Sequence, residues 1–199
     1  VLNAKGLVLG DSGDGQGALD CFELAFTKPG TVDHFNLWVN KGTAFSGMDE
    51  NAKSIECYEK ALELKPDNEF ALYNKAMSLH HLKEYPKAVK FFDQAGAAVA
   101  KHRTGNIGEW NFLVMIFRRK GETLFASHPQ DQNGTQSALQ CFDYGLEAIV
   151  DTEIGIHPSP HPELIPLLFG KGMATEYLNV EKQDKLDVIR AALACFAEV

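Results

Sequence analysis

The feature that most restricts what this chain can become is a recurrence with a step of 34 residues. Asn40-Lys41-Gly42 returns as Asn74-Lys75-Ala76. A second motif travels with it: Ser54-Ile55-Glu56-Cys57-Tyr58-Glu59-Lys60-Ala61-Leu62 returns 34 residues later as Ala88-Val89-Lys90-Phe91-Phe92-Asp93-Gln94-Ala95-Gly96. Two motifs sharing one period describe an array of like units, each too small to bury its apolar faces unless neighbours stack on it.

Three looser copies follow the same order. Lys5-Gly6 precedes Ala18-Leu19-Asp20-Cys21-Phe22, Lys120-Gly121 precedes Ala138-Leu139-Gln140-Cys141-Phe142, and Lys171-Gly172 precedes Ala192-Leu193-Ala194-Cys195-Phe196. The small residues Gly42, Ala76, Ala61 and Ala95 let helices approach closely, and the aromatics Tyr58 and Phe92 fill the space between pairs. Pro66 cannot continue a helix and marks a stop.

The pattern resembles the tetratricopeptide repeat. In the stretch from Phe35 to Asn68, Trp38, Asn40, Gly42, Ala44 and Phe45 stand where that family carries its first-helix signature. Tyr58, Ala61, Leu62, Glu63, Leu64, Pro66 and Asn68 match the second helix and its exit. The stretch from Glu69 to Ala98 follows with Asn74, Ala76, Leu79, Tyr85, Ala88, Phe92 and Ala95. The resemblance implies an all-α fold, a right-handed α-solenoid of about five helical hairpins. It forms a single array over residues 1–199, with copies at 1–33, 34–68, 69–102, 109–151 and 162–199.

The remaining copies depart from the pattern. The first is expected to turn at Gly10 to Gly17. The fourth is expected to have a first helix from Glu109 to Ala126 and a loop from Ser127 to Gly134. A Pro- and His-rich connector, Asp151 to His161, separates copies four and five, and copy five carries an insertion from Asn179 to Lys185. The chain opens without Met, and its last helix still has a turn to run at Val199, so a fragment of a longer protein is expected. Long loops on repeat arrays often mark binding faces, which makes 127–135 and 151–161 candidates for partner-specific elements.

Composition narrows the function classes. A net charge of −8 argues against a nucleic-acid binder, which needs surplus Lys and Arg to displace counterions. The longest apolar run, Phe112 to Phe117, is far short of the ~18 residues of a membrane span. Cys21, Cys57, Cys141 and Cys195 all stand directly before the aromatic of a second helix, on different hairpins. They read as small buried hydrophobes and not as a disulfide or metal set. Unpaired thiols fit a cytoplasmic protein.

His80 and His81 are adjacent on a helix and point to different faces, so they do not chelate together. His157 and His161 lie among Pro158, Pro160 and Pro162, which deny them the helix that would align them. Asp11-Ser12-Gly13-Asp14-Gly15 fails as a calcium loop because Gly13 and Gly15 stand where oxygen ligands belong. No catalytic motif, metal site or cofactor fingerprint is expected, and no enzyme activity.

The resemblance implies a concave face built from first helices. Copy two would contribute Asn36, Val39, Asn40 and Thr43. Copy three would contribute Phe70, Tyr73, Asn74 and Met77, and copy four Arg118 and Arg119. Asn40 and Asn74 suit a peptide backbone, and Phe70, Tyr73 and Met77 an apolar contact. Chaperone-binding members clamp a terminal carboxylate with Lys, Asn and Arg. Here Asn40, Asn74 and Arg119 fit singly, but Asn3, Val39, Phe70 and Met115 occupy the places of the clamp lysines, so no such clamp is expected. The chain therefore reads as an adaptor that binds a protein segment, peptide or helix along that face. The competing reading is a structural or self-associating array.

Overall fold

The computed structural model describes residues 1–28, 33–101, 107–127 and 132–153, together with 166, 167, 169–171 and 174. All regular structure among them is helical. The elements are α1 (Leu2–Asp11), α2 (Gly15–Thr27), α3 (His34–Gly47), α4 (Asn51–Leu64), α5 (Glu69–His81), α6 (Tyr85–Lys101), α7 (Ile107–Ser127) and α8 (Gln132–Glu153). The chain divides after Ala98, within α6, into two compact units.

Helix starts follow from short polar side chains that satisfy orphan backbone donors. Asp14 accepts from the Gly17 amide at 2.9 Å, Asp33 from Asn36 at 3.3 Å, and Asn68 from Ala71 at 3.0 Å. Each such cap is worth about 1 kcal/mol. Asp14 also shortens the first turn relative to expectation. Gly10 and Asp11 remain in α1, and Gly15 to Gly17 already belong to α2. Likewise α8 begins at Gln132, so Gln132 to Gly134 are helical and not loop, and α7 extends beyond the expected Glu109–Ala126 at both ends. The connector residues 154–161 and the insertion 179–185 lie outside the described residues.

The turns that join α1 to α2, α3 to α4 and α5 to α6 share one geometry. The amides of Gly13 and Asp14 donate to Gly10 and Leu9, those of Asp49 and Glu50 to Ser46 and Phe45, and those of Lys83 and Glu84 to His80 and Leu79. This paired 5→2 and 6→1 bonding closes a helix only when the residue at its centre is left-handed. Gly13 takes φ 87°, while Asp49 and Lys83 take φ 60° and 61° despite their side chains.

In the first unit, Ala18, Phe22 and Ala25 of α2 pack on Leu37 of α3, and Ala61 of α4 packs on Phe35 of α3 and Ala71 of α5. In the second unit, Phe142 and Ala138 of α8 pack on Val114 of α7 and on Leu167 and Ala174. The closeness depends on glycine. A Cβ on Gly42 would come within 2.7 Å of the Tyr58 ring, and one on Gly121 within 2.6 Å of Phe142. In α1, α3 and α7 the Lys-Gly step is thus the point where the first helix meets the aromatic of its own second helix.

Candidate functional site

A cleft of about 200 Å³ opens in the first unit between α1 and α3. Gly6, Leu7 and Gly10 of α1 form one wall, and Asn40, Thr43 and Gly47 of α3 the other. Ala18 and Phe22 of α2 line it beneath, with Met48 at one end. Gly10 keeps the wall thin, since a Cβ there would meet only Ala18, at 3.8 Å, and a Cβ on Gly47 would meet nothing within 4 Å. The volume falls below the ~300 Å³ at which small-molecule pockets begin. It suits one large side chain presented by a longer ligand.

The polar groups of the cleft are few. Asn40 donates from Nδ2 to Asn3 Oδ1 at 2.8 Å, tying α3 to α1 and fixing the amide's orientation. The Thr43 hydroxyl donates to the Val39 carbonyl at 3.1 Å and lies 3.3 Å from the Tyr58 hydroxyl. Burial pushes the Tyr58 hydroxyl up to about 12, against the opposing pull of the Thr43 bond. It therefore stays protonated and serves as a fixed prop for Thr43. Asp11 is the one charged residue on the cleft's lining.

The other expected site residues divide by element. Asn36 is exposed at the start of α3, with its Nδ2 bonded to the capping Asp33 at 2.6 Å. Val39 is half-buried one residue before Asn40. On α5, Phe70 is 54% exposed, Asn74 and Met77 are half-buried, and Tyr73 is turned inward, its ring edge-on to Phe92 at 5.7 Å. Tyr73 is thus a packing residue first, because its ring fills the gap between α5 and α6. In the second unit, Arg118 and Arg119 both reach Glu122, at 2.6 and 3.1 Å, so one carboxylate neutralises part of that basic pair. Arg119 Nε is buried without a partner among the described residues.

The structure brings Asn40 and Thr43 together at one cleft, with Val39 and Asn36 on the same helix. Sequence reading left out Gly6, Leu7, Gly10 and Met48. A signal for Gly6 existed, because it occupies the Lys-Gly register. Nothing in the pattern singled out Leu7 or Met48, which lie together only because α1 and α3 are neighbours. Cys21, Cys57 and Cys141 are buried free thiols, and burial pushes Cys57 up to about 11, so it stays protonated and unreactive. Cys195 lies outside the described residues. Among the described residues, no three metal-ligating side chains gather, and no helix is long and apolar enough to cross a membrane.

Comparison with known proteins bears on the repeat and on the fold. The tetratricopeptide-repeat profile matches residues 35–68, and a second profile of the same repeat matches 57–90. Superkiller protein 3 of Saccharomyces cerevisiae is 31% identical over 89 residues, which is 45% of this chain and 6% of the yeast protein. A TPR repeat-containing protein of Methanocaldococcus jannaschii is 30% identical over 89 residues, 45% of this chain and 15% of the archaeal one. The match thus spans a small part of either relative. Among solved structures, the nearly identical TPR-like repeats of a Podospora anserina kinesin-light-chain-type protein superpose with a TM-score of 0.72 at 14% identity, over 99% of this chain and 94% of that one. MamA superposes with a TM-score of 0.71 at 14% identity, over 97% and 95%. The fold class is that of the tetratricopeptide-like α-solenoids.

Proposed function

Because the chain belongs to the tetratricopeptide-repeat family, we propose that it is a non-catalytic scaffold that recognises a protein partner in the cleft between α1 and α3. The observation that carries this reading is the cleft itself: preformed, glycine-walled, largely apolar, and edged by the Asn40 amide and the Thr43 hydroxyl. An extended peptide or a helix would insert one apolar side chain against Phe22 and Ala18, while Asn40 bonds its backbone. Phe70, Asn74 and Met77 would extend the contact along α5. Preorganisation by the Asn3 bond lowers the ordering cost of such a complex.

The net charge of −8 favours a protein ligand over nucleic acid. The buried thiols suit a reducing compartment such as the cytoplasm.

The test is selection of displayed peptides against the intact chain, followed by affinity measurement with Gly47→Phe, which fills the cleft from a position with open space ahead of it, and with Asn40→Ala. Loss of at least about tenfold with Gly47→Phe, and a smaller loss with Asn40→Ala, is expected. Unchanged affinity in both would move recognition to another face.

A further inference from the structure

Both walls of the cleft between α1 and α3 run to the C-terminal ends of their helices. Gly10 and Asp11 stand in the last turn of α1, and Ala44 and Gly47 in the last turn of α3. Aligned peptide dipoles leave partial negative charge at such ends, which a cation in the last turn stabilises. Neither helix supplies one, whereas α5 carries His80 and His81 in its last turn. No Lys, Arg or His lines the cleft.

The polar groups there offer acceptors. Asp11 adds a full negative charge and makes no ion pair among the described residues. Glu23, Glu50, Glu59, Glu63 and Glu84 of the same unit, by contrast, each hold a lysine. Asn40 spends an Nδ2 proton on Asn3, and its Oδ1 receives no donor among the described residues. The Thr43 hydroxyl spends its proton on the Val39 carbonyl.

We infer that the segment recognised at this cleft is basic: it sets a lysine or arginine against Asp11 and Asn40, two residues from the apolar side chain that fills the cleft. This rests on the cleft being the recognition site, as proposed above. In an extended segment residues two apart point the same way, so both side chains reach the one opening. Lys and Arg carry donors only, which answers a rim of acceptors. Their stems lie along apolar surface, here the 43% exposed Leu7. An acidic segment would meet Asp11 and two helix ends of its own sign. The surplus of acids over bases, 27 against 19, also draws a basic segment toward the chain.

The experiment is selection of a displayed peptide library against the intact chain and, in parallel, against Asp11→Lys. A lysine in the last turn of α1 suits the helix dipole, so this variant keeps its fold. Enrichment of Lys or Arg two residues from an apolar anchor is expected with the wild type, and its loss with Asp11→Lys. For the best-enriched peptide, exchanging that base for Glu is expected to weaken binding roughly 5-fold, and Asp11→Lys to recover the loss. Raising the salt should weaken the wild-type complex more than that of Asp11→Asn. Gly47→Phe separates this inference from the reading beneath it. Peptides that Gly47→Phe abolishes, but that lack a base or are indifferent to Asp11→Lys, overturn the inference and leave the cleft standing. Peptides that Gly47→Phe does not affect, or an empty selection, overturn both. A concentration-dependent mass of the chain alone, abolished by Gly47→Phe, overturns the inference too, since the occupant is then a second copy.

Discussion

The first hairpin, α1 and α2, and the second, α3 and α4, use the same internal packing. Gly6 meets Phe22 as Gly42 meets Tyr58, and both aromatics are about 1% exposed. They differ in what lies outside. The second hairpin is held on both sides: Leu37 sits against α2, Ala61 against α5, and Lys41 reaches Glu23. The first has only α3 beside it among the described residues, and Val1, Lys5 and Val8 are exposed. In a quasi-linear array, two hairpins of like internal packing are expected to differ in local stability according to the neighbours that each one contacts.

Replacing the central aromatic gives the largest expected effect. Tyr58→Ala should cost roughly 4 kcal/mol of global stability. Phe22→Ala removes the same ring from the less supported hairpin and should cost about half as much globally, because α1 and α2 then open locally. Urea unfolding combined with amide exchange separates the two. If Phe22→Ala loosens α5 as much as α1, the hairpins are not distinct in this way.

The next effect concerns alkaline pH and the interior hairpin. Burial raises the Cys57 thiol to about 11 despite the nearby Lys41 charge. A folded state that holds the proton more tightly than the unfolded one is fully stable below about pH 8.5, the ordinary thiol value. It loses that contribution as pH rises through about 11. The loss should show as a denaturant midpoint that falls steadily between pH 9 and 11. Cys57→Ala is expected to flatten the decline between pH 9 and 11 in denaturant midpoints. An unchanged slope would assign it to another group.

The smallest effect lies in the turns. Gly13 adopts a left-handed backbone that suits it, whereas Lys83 adopts one at φ 61° with a side chain. Lys83→Gly should therefore raise stability by about 1 kcal/mol, and Gly13→Ala should lower it by a similar amount. Thermal midpoints of the two variants read the comparison directly.

Much of this could be read from residue order. The 34-residue step located the Gly-aromatic contacts, the buried cysteines and the helix pairs, because local periodicity decides which face of a helix is apolar. The helix bounds near Gly15 and Gln132 were misplaced, since glycine content suggests loop while an effective cap starts a helix regardless. Tyr73 shows a subtler limit. Its position in the repeat suggested a groove residue, yet an aromatic on α5 is drawn inward where Phe92 leaves space for its edge.

The sequence by itself therefore determined the repeat, the helical class and the lysine-before-glycine register, all of which depend on residues near one another along the chain. Only the tertiary structure decided that α1 and α3 leave a cleft, that Asn40 is held by Asn3, and that Tyr73 turns inward against Phe92. These depend on distances between side chains 37 residues apart or on different helices. Such distances are set by the packing of whole helices, which no local pattern encodes.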